Sequence, residues 1–267
     1  MSRSSTNDGR ERTARPGPSD LRAQATSPAM TPGRGAGLTE QPPSSDDTDL
    51  LTLEDVQLDR QISTFITQAD RVMEGLGYTE HGFRHANLTA RIAFNVLSRL
   101  DFDERTAVLA CLGGYLHDIG NMVARDAHGQ VGAMLAYDVL KDRMRMPDLA
   151  LVMGAVGNHE EEGGEGASSV AAAVILADKS DVHRSRVRKS AQIDFDIHDR
   201  VNYAAEQSFL RVDSSARTVT LELTIDTEIS HVMEYFEIFL ARMVMCRRAA
   251  ERLDCQFKLT INGATLL

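Results

Sequence analysis

Tyr115-Leu116-His117-Asp118-Ile119-Gly120 closes an apolar, small-residue run that begins at Ala107. An adjacent histidine and aspartate do not belong in such a run unless they are paired or ligated, because burying an unpaired polar or charged group costs several kcal/mol. Further groups of the same kind lie on either side: His85 upstream, and His128, His159 and Asp178 downstream. All sit near the ends, or on the apolar faces, of predicted helices. Four imidazoles and two carboxylates in this arrangement read as a metal site. Spaced so widely, they converge only if several helices pack around them.

The flanking periodicity predicts those helices. Leu53, Val56, Ile62, Phe65, Ile66, Ala69, Val72 and Met73 form one helical stripe that stops at Gly75-Leu76-Gly77. A second helix carries Leu88, Ile92, Val96 and Leu100, and His85 shares that face at helical spacing. His81 falls in the preceding loop. Asp101 and Glu104 have the spacing of a capping box for a third helix, which carries Val108, Cys111, Leu112 and Tyr115 into His117-Asp118. Gly113-Gly114 within it disfavours helix but allows close packing or a bend. His128 opens a fourth helix, and Pro147 suits the first turn of a fifth that ends at Asn158-His159-Glu160. Val170, Val174, Ile175, Asp178 and Val182 define a sixth, with Asp178 on its buried stripe. The Glu161–Gly166 run between them has no packing face and reads as a connector or a lid.

Beyond residue 200 the pattern changes. Ser208–Val212 and Thr218–Ile225 alternate with period two around a turn-like Asp213-Ser214-Ser215-Ala216, which predicts a hairpin. A long amphipathic helix over Glu228–Leu253 and a last strand, Gln256–Ile261, follow. The expected fold is α+β: a mainly α-helical bundle over residues 49–200, then a small β-β-α-β unit over 201–267. Residues 1–48, rich in Ser, Thr, Pro, Gly and Arg, cannot bury enough surface to offset chain entropy and read as a disordered tail.

Composition narrows the partners. The 267 residues carry a formal net charge of -10, which counts against nucleic acid as a partner but leaves room for a local basic pocket. No apolar run is long enough for a membrane span, and there is no secretory h-region, so a cytoplasmic location is expected. Cys111, Cys246 and Cys255 form no motif. The densest basic run, Lys179 to Lys189, follows Asp178, and arginine suits bidentate recognition of phosphate. That run points to a small phosphorylated substrate, with interdomain ion pairs as the alternative. The second polar cluster, Asp194 to Arg200, is spaced too tightly for one helix face and reads as structural. Taken singly, His85, His128 or Asp178 could be a core histidine or a salt-bridge partner; the joint pattern favours metal. A donor set of nitrogen and oxygen without sulfur favours Mn, Fe, Mg, Co or a non-thiolate Zn.

His85, then His117-Asp118, then Asp178 resembles the H…HD…D signature of the HD-domain metal-dependent phosphohydrolases, and the Leu-His-Asp-Ile-Gly context is similar to theirs. The likeness covers about residues 62–188. It implies a helical bundle in which His85, His117, Asp118 and Asp178 hold one ion. By likeness to the binuclear branches, His128 and His159 hold a second, with Asp118 bridging. In the cyclic-di-GMP phosphodiesterase branch a His-His-Glu is followed by Gly-Tyr-Pro. Here the equivalent stretch is Asn158-His159-Glu160 with no Gly-Tyr-Pro after it, which disfavours that substrate.

The function that follows is a phosphohydrolase cleaving a phosphomonoester or phosphodiester, with a nucleotide as the leading substrate. One or two divalent ions supply hydroxide, Asp118 and Lys179 are catalytic, and Arg184 and Arg188 bind substrate. The same ligand set also resembles HD-fold di-iron oxygenases. A third reading is a regulatory module that binds nucleotide or metal without turnover. The edge of the C-terminal strands could pair with a second copy to form a homodimer.

Overall fold

The structure is a computed structural model that describes residues 51–161, 164, 166–188 and 197–266. The expected tail over residues 1–48 lies outside the described residues, as do Lys189, Asp194 and Asp196. The first stripe is two helices, not one. Helix α1 (Leu53–Gln57) is closed at its start by a capping box between Thr52 and Asp55. Helix α2 (Arg60–Gly75) begins afresh at Asp59, whose carboxylate accepts from the Gln61 and Ile62 amides. An aspartate that satisfies the free amides of a new first turn stabilises an N-terminus there, and hydrophobic periodicity alone cannot show it.

Helix α3 (Phe83–Arg99) is followed by α4 (Glu104–Leu116). The cap of α4 is Asp103, which accepts from the Thr106 amide, and not Asp101 as the spacing predicts. Asp101 has a positive φ of 62° and serves the turn that ends α3. Short polar side chains tolerate that left-handed geometry best after glycine. The two glycines of α4 permit close helix contact. A Cβ at Gly114 would lie 3.0 Å from the Ala90 backbone on α3. One at Gly113 would lie 3.2 Å from the Ala155 Cβ. That proximity lets side chains at the end of α4 meet side chains at the start of α3.

Helix α5 (His128–Leu140) packs on helix α6 (Met146–Gly157), and α7 (Ser169–Lys179) packs against α3, α4 and α6. Every residue of α7 is buried, as expected of a helix that is apolar on every face up to the Asp178-Lys179 pair at its end. It ends at Lys179, so Val182 lies beyond the helix and Asp178 falls in its last turn. A short helix α8 (Ile197–Ala204) leads into the sheet.

Strands β1 (Ala205–Asp213) and β2 (Thr218–Ile225) pair antiparallel, with Leu210 opposite Leu221 and Val212 opposite Val219. Strand β3 (Gln256–Ile261) pairs parallel to β2. A parallel pair needs a long crossover, and α9 (Val232–Arg252) supplies it. The sequence pattern did not predict β4 (Ala264–Thr265), a two-residue strand that returns on β3. Its turn is Asn262-Gly263, with φ of 50° and 80°, the left-handed pair that a tight hairpin requires. Helix α9 packs on α7 as well as on the sheet, and one hydrophobic core runs from Ile62 through Val174 and Phe239 to Leu259. The fold is α+β, mainly helical with a small four-stranded sheet.

The buried cysteines are small core side chains. Burial pushes the Cys111 thiol up to about 11 and the Cys246 thiol up to about 12. Among the described residues, no helix is long and apolar enough to cross a membrane.

Candidate metal centre

Five segments deliver the six predicted ligands to one place. His85 comes from the first turn of α3, and His117 is the C-terminal cap of α4. Asp118 precedes a 3₁₀ turn (Ile119–Met122), and His128 is the first residue of α5. His159 follows α6, and Asp178 lies in the last turn of α7. All six are buried.

They sort into two sets that share one carboxylate, and the sets also touch where the His117 and His159 rings meet edge-on, 4.8 Å between centroids. His85 Nε2 lies 3.3 Å from Asp178 Oδ1 and 3.5 Å from Asp118 Oδ2. His117 Nε2 lies 3.2 Å from the same Asp118 oxygen. On the other side, His128 Nε2 and His159 Nε2 lie 3.4 and 3.7 Å from Asp118 Oδ1. The carboxylate of Asp118 thus offers one oxygen to each set.

The far nitrogens explain why the near ones converge. Each Nδ1 faces a group that only accepts. His85 Nδ1 is 2.7 Å from Asp181 Oδ2, and His117 Nδ1 is 2.8 Å from the Gly114 carbonyl. His128 Nδ1 is 2.9 Å from the Arg125 carbonyl, and His159 Nδ1 is 2.6 Å from the Val156 carbonyl. Each Nδ1 therefore carries the proton, and each Nε2 is left to offer a lone pair or take a second proton. Yet His128 Nε2 and His159 Nε2 are 3.0 Å apart, and His85 Nε2 and His117 Nε2 are 3.1 Å apart. Lone pairs at that distance repel unless a cation lies with them. Asp118 Oδ2 is buried with no hydrogen-bond donor. Facing lone pairs and an orphaned carboxylate oxygen are what a ligand set for divalent ions presents.

The electrostatics agree. Burial works against ionisation of Asp118, but the electrostatic pull of His117, with His128 and His159 close by, holds its carboxyl well below the usual range. Burial likewise opposes ionisation of Asp178, which Lys179 and the histidines overcome. Burial and the Arg186 charge disfavour a proton on His85, yet Asp178 and Asp181 raise it to about 9. A position that draws a second proton so strongly is one where a cation is stabilised, and an ion bound there must release that proton.

Residues 78–183 match the family model of the HD domain. This segment is an HD domain. It contains all six predicted ligands, and HD domains belong to the superfamily of metal-dependent phosphohydrolases. The chain is also similar to the uncharacterized protein MJ1020 of Methanocaldococcus jannaschii. The two are 27% identical over 194 residues, covering 63% of this chain and 74% of that protein.

Around the HD ligands lies a shell that the sequence did not single out. Asp181, only three residues after Asp178, accepts from His85 and from both terminal nitrogens of Arg84, at 2.8 and 3.0 Å. Its place inside the basic run concealed it. Glu160 sits 3.0 Å from His128 Nδ1. Asn121 donates to Asp118 Oδ1 at 2.9 Å. The ring of His81 packs edge-on against His85 at 5.6 Å between centroids.

The predicted cations are divided. Lys179 Nζ reaches the HD centre, 2.7 Å from Asp178 Oδ2 and 3.0 Å from Glu161 Oε1. Arg184 pairs with Glu206 at 3.0 Å, and Arg188 pairs with Asp70 at 2.6 Å. The structure therefore commits the guanidinium groups of Arg184 and Arg188 to other carboxylates. Arg186, the third of the run, is buried against the Glu80 and Asp181 carbonyls. Arg200, in the second polar cluster, pairs with Glu234 on α9. The first residue of the Glu161–Gly166 run is tied down, since Glu161 also meets Arg242 of α9 at 2.9 Å. Glu162, Gly163 and Glu165 lie outside the described residues.

Asp181 gives a direct test of the outer shell. Asp181→Asn keeps the shape but removes the charge that orients His85. Metal affinity should fall roughly 10–100-fold, the usual effect of losing an outer-shell partner. Competition of the metal-loaded protein against a chromophoric chelator would measure it, and an unchanged affinity would confine Asp181 to holding Arg84.

Proposed function

We propose that this HD domain is a metal-dependent phosphohydrolase that cleaves a phosphomonoester or phosphodiester, with a nucleotide as the substrate class. The observation that carries the reading is the pair of ligand sets facing each other across the two oxygens of Asp118. Divalent ions held by such sets supply an activated water at neutral pH and neutralise charge on a phosphoryl group.

The protein's own groups have distinct tasks in this reading. His85, His117 and Asp178 hold one position, His128 and His159 hold the other, and Asp118 serves both. The ion pair network beyond Asp178 keeps that carboxylate oriented. Lys179 is buried, but the charges of Asp178 and Glu161 outweigh the cost of burial and raise its pKa. It therefore stays an ammonium group at neutral pH and acts as a fixed positive charge, not as a base. The nucleotide assignment rests on the superfamily likeness.

The test is metal analysis of protein purified without chelators, followed by assay of the same sample against a panel of phosphoesters in Mn2+. Close to two ions per chain and phosphate release that a chelator abolishes are expected. The same donor set would also suit di-iron oxygen chemistry. Two irons, oxygen consumption and no phosphate release would replace the proposal with that one. No turnover of any kind after reconstitution would leave a binding module.

A further inference from the structure

Among the cations that surround the HD centre, Arg125 is held differently from the rest. Arg84 and Arg186 lie against Asp181, Lys179 lies between Asp178 and Glu161, and Arg242 meets Glu161. Each is neutralised where it stands. Arg125 has no carboxylate within ion-pair distance among the described residues, although it is half-buried and sits at the ligands themselves. Its Nη1 is 3.4 Å from His128 Nε2 and 3.2 Å from Asn121 Oδ1. Asn121 in turn donates to the bridging Asp118. The guanidinium carbon lies 5.1 Å from the centroid of the Tyr78 ring, a side chain that is 44% exposed.

This arrangement cannot persist in a metal-loaded protein. His128 Nε2 has one lone pair, which cannot serve an ion and an N–H donor together. Loading the centre therefore frees the Nη1 donor of Arg125 while Asn121 and the Tyr78 ring still hold the side chain in place. A planar cation with free donors beside a pair of metal positions is matched by an anion with oxygens on a tetrahedral centre.

We propose that Arg125 is the substrate-binding cation of this centre, and that its guanidinium turns from His128 onto the non-bridging oxygens of the substrate's phosphoryl group. The assignment rests on the phosphohydrolase reading, and it gives to Arg125 the role that the sequence pattern suggested for Arg184 and Arg188. The face of Tyr78 lies over the same cation, so an aromatic part of the substrate can stack beside its phosphate.

The experiment measures inorganic phosphate binding to Mn2+-loaded protein by calorimetry, for the wild type, Arg125→Ala and Arg125→Lys, with the Mn2+ content of each determined in parallel. Charge-assisted hydrogen bonds of this kind are worth roughly ten- to a hundredfold in affinity. Arg125→Ala should lose phosphate affinity by that factor with its Mn2+ content unchanged. Arg125→Lys, which keeps the charge and loses the planar fork, should fall between the two. Equal affinity in all three proteins would overturn the proposal, as would loss of Mn2+ from Arg125→Ala, since Arg125 would then support the ligands and not the substrate. A wild type that holds Mn2+ but binds no phosphate would overturn it too. Turnover is read separately: phosphate binding lost in Arg125→Ala, in a protein that hydrolyses no ester, would uphold the role of Arg125 and defeat the hydrolase reading.

Discussion

Asp118→Ala should cut phosphoester turnover by at least about a hundredfold and lower the metal content of the purified protein, because losing even an outer-shell partner costs up to that factor. Asp118 presents one carboxylate oxygen to each ligand set, with Oδ2 toward His85 and His117 and Oδ1 toward His128 and His159. Its loss removes an anionic ligand from both positions at once. Asp118→Asn is the sharper variant. It keeps the volume and the bond from Asn121 can be retained, but an amide offers only one acceptor oxygen and no charge. Both variants should keep a wild-type circular dichroism spectrum, since the six residues sit at or near helix ends and the helices bury a large apolar core of their own. Full activity in either would remove Asp118 from the mechanism. Normal metal content without activity would show that the remaining ligands suffice to hold ions and that the carboxylate serves the reaction itself.

The largest effect on stability is expected from Gly120→Ala. Gly120 lies in the 3₁₀ turn directly after the ligand pair, where it meets the start of α5. A Cβ there would fall 1.9 Å from the His128 carbonyl oxygen and 2.6 Å from the Gly132 nitrogen. Both are backbone atoms of α5, so no side chain can rotate out of the way. Either the turn or the whole helix must shift, and His128 would shift with it. Overpacking of a tight core costs up to about 3 kcal/mol, and occasionally more. For a chain of this size that is a fall in melting temperature of roughly 6–12 °C. The loss should be accompanied by weaker metal binding, because one position depends on His128. Gly154→Ala is the control: no atom lies within 4 Å of a Cβ placed there, inside α6. Relieving a mid-helix glycine should leave stability unchanged or raise it by up to about 1 kcal/mol. If Gly120→Ala melts with the wild type and keeps its ions, the turn and α5 are not packed as closely as described.

Much of the centre was legible in the residues alone. Histidines and aspartates on apolar helical faces have few stable options, so His85, His117, Asp118, His128, His159 and Asp178 could be grouped before any contact was known. The helix that begins at His128 and the one that carries Pro147 in its first turn were equally readable from periodicity and local preference. Local chemistry was harder where two similar residues compete. Asp101 and Asp103 both have the composition of a cap, and only backbone geometry shows that Asp103 takes the amide while Asp101 takes the left-handed turn.

The outer shell was not legible, for a physical reason. Asp181 and Arg125 each look like ordinary surface charge in a polar stretch, and their meaning depends on which opposite charges lie within reach across distant segments. Asp181 meets Arg84 from 97 residues away, and Arg188 meets Asp70 from 118 residues away. No spacing rule links such pairs. Sequence by itself determined the residue types, the helices that carry them and the α+β division of the chain, because those follow from hydrophobic period and local backbone preference. Tertiary structure alone decided that Asp118 faces both ligand sets, that Arg184 and Arg188 are neutralised elsewhere, and that Arg125 has no carboxylate within ion-pair distance among the described residues. Coulombic partnership acts through space, and it is set only when the helices have packed.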